Sequence, residues 1–108
     1  MVNILFVCTE NKLRSATAEE VFSAYEGVEA IGAGTNQDAP TPVSGDLIEW
    51  ADVILVMEQS HRNKISKKYA QQLKGKKLAV LGIPDNFIYM DPELIRILKM
   101  KAPKYVRI

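Results

Sequence analysis

One cysteine occurs in the 108-residue chain, within the stretch VCTENKLRSAT. Cys8 closes the apolar run Ile4-Leu5-Phe6-Val7, and Arg14 and Ser15 follow it six and seven positions later. A thiol attacks only as the thiolate, and a helix N-terminus with a nearby guanidinium favours that form. A turn from a strand into a helix exposes backbone N–H groups, which together with the helix dipole make an anion cradle. The planar fork of arginine matches two phosphoryl oxygens, and Ser15 offers a hydroxyl donor to the sulfur. Thiolate, N–H ring and fork together fit phosphoryl transfer to sulfur. Taken singly, a cysteine after a strand is most often a small buried hydrophobe, and an arginine there is most often solvated. C-x5-R-S between an apolar strand and an amphipathic helix argues for chemistry instead.

Such a loop needs a strand before it and a helix after it. Apolar runs at 2–7, 53–57 and 78–81, and a weaker one at 28–32, predict four strands. Helical spacing falls between them. Ala18, Val21, Phe22 and Tyr25 mark one apolar face within 16–26, and Ile65, Tyr69 and Leu73 mark another within 60–74. A short helix is expected over 44–51 with Ser44 as its cap. A last helix opens at Asp91-Pro92, an N-cap residue followed by proline at N1, with Leu94, Ile95 and Leu98 as its apolar face. Strands alternating with helices predict a parallel sheet with helices on both sides and right-handed crossovers. In such sheets the working crevice lies at the carboxyl ends of the strands. Cys8 follows the first strand and Asp85 the fourth, so both are expected at one edge.

Length predicts a single domain over residues 1–108. Hydrophobic residues make up 47% of the chain and charged residues 25%, ordinary values for a globular protein, and a net charge of +1 selects no partner. With one cysteine, no internal disulfide and no zinc site of several cysteines can form. No basic segment followed by a long apolar stretch opens the chain, and no apolar run is long enough to span a membrane. A cytoplasmic protein is expected.

VCTENKLRSATAEEVF resembles the N-terminal signature of the low-molecular-weight protein tyrosine phosphatases, which carry C-x5-R-[ST] after their first strand. GAGT at 32–35, ADVILVMEQSHRNKI at 51–65 and LGIPDNF at 81–87 resemble later segments of that family, so the similarity covers most of the chain. It implies an α/β three-layer sandwich with a four-stranded parallel sheet, flavodoxin-like, of the phosphotyrosine phosphatase I-like type. It implies hydrolysis of a phosphotyrosyl protein or small phosphate ester through a phosphocysteine on Cys8. Arg14 matches the phosphate-binding arginine, and Ser15 the hydroxyl that stabilises the thiolate. Asn11 matches the asparagine that holds the loop shape, for which its tolerance of positive φ is a physical reason. Asp85 matches the general acid. The phosphate-binding loop would comprise Thr9, Glu10, Asn11, Lys12, Leu13 and Ser15, with inorganic phosphate or sulfate as its simplest ligand. No metal or cofactor is implied.

The sequence departs from the family pattern in four places. The connection TNQDAPTPVSGD is short and is expected to leave one wall of the site open. Glu10 replaces a glycine, with small effect if its carboxylate points outward and weakened phosphate affinity if it points inward, where Lys12 would offset it. Leu13 stands where many members have a second cysteine. Asn86-Phe87 follows Asp85 in place of proline-tyrosine, and Asp91-Pro92 offers a competing acid, though Asp91 reads better as a helix cap. Phe87 and Tyr89 are candidates for a substrate wall, with core packing as the alternative for each and for Trp50. His61 reads as a surface residue. The acid-free segment 59–84 carries Arg62, Lys64, Lys67, Lys68, Lys74, Lys76 and Lys77. This is a solvated face by default, or a surface for an acidic partner, and it lacks the interleaved aromatics of a nucleic-acid binder.

Three other readings compete. A phosphotransferase-system IIB-like phosphocarrier also phosphorylates a loop cysteine, but needs neither Arg14 nor Asp85. An arsenate reductase would need an external thiol here. A non-catalytic phosphate-binding module would use the cradle alone.

Overall fold

Strand β1, Val2–Cys8, is apolar on both faces, as a strand between two helical layers must be. In the computed structural model, which describes residues 1–10 and 13–108, three further strands run parallel to it. They are β2 (Val28–Gly34), β3 (Val53–Val56) and β4 (Lys77–Val80), and the sheet order is β2-β1-β3-β4. The helices are α1 (Arg14–Ser23), α2 (Gly45–Trp50), α3 (Gln59–Lys68), α4 (Ala70–Leu73) and α5 (Pro92–Lys101), followed by a 3₁₀ turn at Ala102–Lys104.

The period of two along the strands divides the core. Ile4, Phe6 and Cys8 join Leu55 and Met57 under α1 and α5, where Phe22, Leu94 and Leu98 are wholly buried. Phe6 and Phe22 stack with ring centroids 5.4 Å apart. Leu5 and Val7 join Ile54 and Val56 on the other face, beneath Ile48 of α2 and Ile65 of α3. The β1–β2 crossover and the β3–β4 crossover run in opposite directions along the sheet and lie on opposite faces, as crossovers of one hand require. The chain thus reverses its direction of winding beside β1. The carboxyl ends of β1 and β3 open a crevice at that switch point.

Local chemistry fixes most boundaries. The Ser44 hydroxyl accepts the Leu47 N–H at 3.2 Å, and the Asp91 carboxylate accepts the Glu93 N–H at 3.0 Å with Pro92 at the helix start. Gly27, at φ +80°, makes the turn into β2. Three expectations change. The helical pattern at 60–74 is two helices broken at Tyr69, whose hydroxyl donates to the Val43 carbonyl at 3.0 Å. The apolar face of α5 is completed by Ile97, which packs beside Leu94 and Leu98, rather than by Ile95. Strand β2 runs two residues past the expected end, to Gly34. Among the described residues, no helix is long and apolar enough to cross a membrane.

Candidate active site

The crevice holds a cavity of about 250 Å³ lined by Cys8, Thr9, Glu10, Leu13, Arg14 and Asp85. Cys8 ends β1, is 3% exposed, and has its Sγ 2.9 Å from the Ser15 Oγ at the start of α1. Ser15 is wholly buried, and its hydroxyl also reaches the Ala33 carbonyl at 3.3 Å. Among the described residues, one hydroxyl proton faces two acceptors. When sulfur is a thiol, Cys8 can donate to Ser15, and Ser15 to Ala33. When sulfur is a thiolate it has no proton to give, and the Ser15 proton turns to it. The hydroxyl can therefore follow the charge on sulfur without the backbone moving.

The two extra residues of β2 and its continuation hold the start of the loop. The Thr35 N–H donates to the Cys8 carbonyl and the Asn36 N–H to the Thr9 carbonyl, each at 2.9 Å. A Cβ on Gly34 would lie 2.6 Å from the Thr9 carbonyl oxygen, so only glycine admits this approach. The short 36–44 connection folds back on the same glycine. The Gly34 N–H donates to the Thr41 carbonyl at 2.9 Å, and the Gly34 carbonyl accepts from Val43 at 2.8 Å. The connection contributes no lining residue to the cavity among the described residues.

Arg14 is 3% exposed, the opposite of a solvated helix arginine. Its Nη1 donates to the Ile83 carbonyl at 2.8 Å and to Glu58 Oε1 at 2.5 Å, and its Nε lies 3.9 Å from Asp85 Oδ1. Three chain segments thus converge on one guanidinium: the start of α1, the end of β3 and the stretch after β4.

Glu58 is absent from the sequence-based candidates, and His61 is placed at the surface there. The structure corrects both. His61 is 2% exposed, because the first turn of α3 packs against the loop. Its Nδ1 accepts the Glu58 backbone N–H at 3.0 Å, and its Nε2 lies 3.0 Å from the Thr9 hydroxyl. A backbone N–H can only donate, so Nδ1 is unprotonated and the ring proton sits on Nε2, which donates to Thr9. Protonating Nδ1 would set two donors against each other. The imidazole pKa is accordingly lowered by burial and by Arg14, with Lys64 adding to the effect and Glu58 and Asp85 opposing it. The signal was Met57-Glu58-x-x-His61 directly after a strand whose end shares an edge with Cys8.

Asp85 lines the cavity and is 64% exposed at its side chain. Asp91 caps α5 and is not a lining residue. Glu10 lines the cavity as an exposed residue. Leu13, 37% exposed, supplies the apolar part of the wall. Phe87 is half-buried and packs against the core, Tyr89 is 49% exposed, and neither lines the cavity. Trp50 packs on the face of the sheet opposite Cys8. Asn11 and Lys12, expected in the loop, lie outside the described residues.

No family model matches the sequence, and no curated protein does. Solved structures do. The YwlE arginine phosphatase from Geobacillus stearothermophilus is similar with a TM-score of 0.76 at 22% identity, over 96% of this chain and 92% of that one. The tyrosine phosphatase Wzb from Escherichia coli K30, in complex with phosphate, gives 0.73 at 21% identity over 95% of this chain and 94% of that one. The low molecular weight protein tyrosine phosphatase SP-PTP from Streptococcus pyogenes gives 0.73 at 17% identity over 92% and 87%. The chain has the low-molecular-weight phosphatase fold. This is the flavodoxin-like three-layer arrangement that the resemblance implied. Identities this low establish architecture, so activity has to be argued from the residues at the crevice of this fold.

Proposed function

We propose that the protein, acting as a single domain in the cytoplasm, is a cysteine-dependent phosphomonoesterase of the protein tyrosine phosphatase type. The observation that carries this reading is the convergence of Cys8, Arg14 and Asp85 on one cavity at the β1/β3 switch point. The phosphoryl group sits over Cys8, its equatorial oxygens held by Arg14 and by loop N–H groups. The thiolate attacks phosphorus. As the S–P bond forms, the bond from phosphorus to the leaving oxygen breaks, and the Asp85 carboxyl gives its proton to that oxygen. Asp85, now a carboxylate, takes a proton from water, whose oxygen attacks phosphorus and breaks the S–P bond. Phosphate leaves and the thiolate returns. Acid–base help of this kind contributes about 10²–10⁴ in rate. The Ser15 proton stabilises the thiolate at both ends of the cycle, and no metal is required in it. A phosphocarrier would need neither the buried arginine nor the acid at the rim.

A second substrate has a specific observation in its favour. The exposed carboxylates of Glu10 and Asp85 line the mouth, and among the described lining residues Arg14 is the only cation. An acidic mouth attracts a leaving group that is itself cationic, as the guanidinium of phosphoarginine is. One fold neighbour is an arginine phosphatase.

Hydrolysis of p-nitrophenyl phosphate, phosphotyrosine and phosphoarginine, with reductant and without added metal, tests the proposal. Wild type should turn over, Cys8→Ser should be inactive, and Asp85→Asn should be slower by about 10²-fold or more, with Asp91→Asn close to wild type. A wild type inactive on all three but binding phosphate would leave a phosphate-binding module in place of an enzyme.

A further inference from the structure

The cationic run that the catalytic reading leaves unused lies on α3, beside the site. Lys64 and Lys68 are one turn apart, one and two turns beyond His61, whose ring reaches the loop through Thr9. Together with Thr35, Gln37 and Tyr69 they line a second, smaller cavity of about 30 Å³. Thr35 also ties the two cavities together, since its N–H donates to the Cys8 carbonyl at 2.9 Å. Its Oγ1 is buried and has no hydrogen-bond partner among the described residues. Neither lysine forms an ion pair among the described residues. Lys68 lies over the Tyr69 ring at 5.6 Å, and Lys64 is exposed. The segment 59–84 contains no acidic residue to neutralise them.

We propose that this ridge is a docking site for an anionic side chain of the substrate, a carboxylate near the phosphorylated residue. The carboxylate would lie against Lys64 and Lys68, both exposed beside the site. The inference rests on the phosphatase reading for its turnover assay. It predicts selection among phosphoproteins by acidic residues on one side of the target.

Two phosphotyrosine peptides that differ only in Glu or Gln at the flanking positions provide the test. They are compared with p-nitrophenyl phosphate on wild type, Lys64→Gln/Lys68→Gln and Lys64→Glu/Lys68→Glu. Wild type should favour the Glu peptide in kcat/KM by about five- to tenfold, as two exposed ion pairs can supply, and lose that preference in high salt. The Gln pair should abolish the preference and the Glu pair invert it, with p-nitrophenyl phosphate hydrolysis within about twofold of wild type. Equal kcat/KM for the two peptides on wild type, or a preference that survives the Glu pair, overturns the proposal. If p-nitrophenyl phosphate is not hydrolysed, the phosphatase reading has failed on its own account. The ridge is then judged by fluorescence anisotropy with the same peptides. Tighter binding of the Glu peptide, lost in the Glu pair, supports it, and equal binding overturns it.

Discussion

The buried Arg14 guanidinium and the half-exposed Glu58 carboxylate meet at 2.5 Å, joining the first turn of α1 to the first turn of α3 across the end of the sheet. The Ile83 carbonyl holds the same Nη1 at 2.8 Å. Glu58 therefore sets where the arginine fork points, and it does so at the cost of part of the fork's charge.

Removing that carboxylate should loosen the arginine. Glu58→Ala is expected to cost about 1–2 kcal/mol of stability, since a buried guanidinium loses a charged partner while solvent can replace part of it. The kcat/KM for p-nitrophenyl phosphate should fall by about tenfold or more. Glu58→Gln, which keeps an acceptor, should recover most of the stability. Denaturant unfolding and initial rates on the same preparations check this, and unchanged kcat/KM in Glu58→Ala would contradict the positioning role.

The His61 ring gives the fold a pH dependence of defined sign. Burial, then Arg14, lowers its pKa below 6.5. As pH falls through about 6.5, the unfolded chain takes up a proton that the folded chain refuses, so the folded state loses stability. The loss should be visible between pH 7 and about pH 5.5, before most carboxylates titrate. In His61→Gln that slope should flatten, at a cost of about 1–2 kcal/mol at neutral pH from the lost bonds to Glu58 and Thr9. Denaturant midpoints at the two pH values decide the matter. An equal slope in the variant would mean that another group carries it.

A second linkage runs from α1 to the segment that carries Asp85. The Thr17 hydroxyl, wholly buried, donates to the Leu13 carbonyl at 2.6 Å and accepts the Met90 N–H at 2.9 Å. Met90 has φ +59°, a conformation costly for a side chain of its kind and held here by that bond. Thr17→Val keeps the volume and removes both bonds. It should lower kcat several-fold with little change in KM, and the loss should shrink in an Asp85→Asn background, as coupled residues show in double-mutant cycles. Full additivity would mean that Thr17 acts on something other than the acid.

Oxidation offers a chemical prediction. Cys8 is the only cysteine, so an oxidised sulfur has no thiol within the chain to condense with. Peroxide in the absence of other thiols should carry it past sulfenic acid to sulfinic acid, which common reductants do not reverse. Bound phosphate should protect it. Mass spectrometry and activity after dithiothreitol treatment check this, and full recovery after peroxide alone would contradict it.

Much of the architecture was legible in the sequence, because period-two and period-3.6 patterns and helix caps are local. The four strands, the Ser44 and Asp91 caps and the placement of Cys8 and Asp85 at one edge all follow from residues close in sequence. Glu58 and His61 were not legible as partners of Arg14 and Thr9. Their contacts span 44 and 52 residues and exist only because β3 lies directly beside β1. A histidine on a polar helical turn reads as surface when nothing local shows what covers it. The break at Tyr69 was hidden for the converse reason. Its apolar spacing continues the helix, and only the distant Val43 carbonyl shows that the ring is committed elsewhere.

The proposed reaction turns on covalent chemistry at Cys8, and trapping tests it directly. Asp85→Asn, in which the proposed role of Asp85 makes water attack on the S–P bond slow, is mixed with p-nitrophenyl phosphate, quenched in acid within the first turnovers, digested and analysed by mass spectrometry. One phosphoryl group is expected on the peptide containing Cys8, with a burst of p-nitrophenol approaching one per protein. Turnover by wild type with no phosphoryl group on Cys8 at any time, or undiminished turnover by Cys8→Ser, would contradict it.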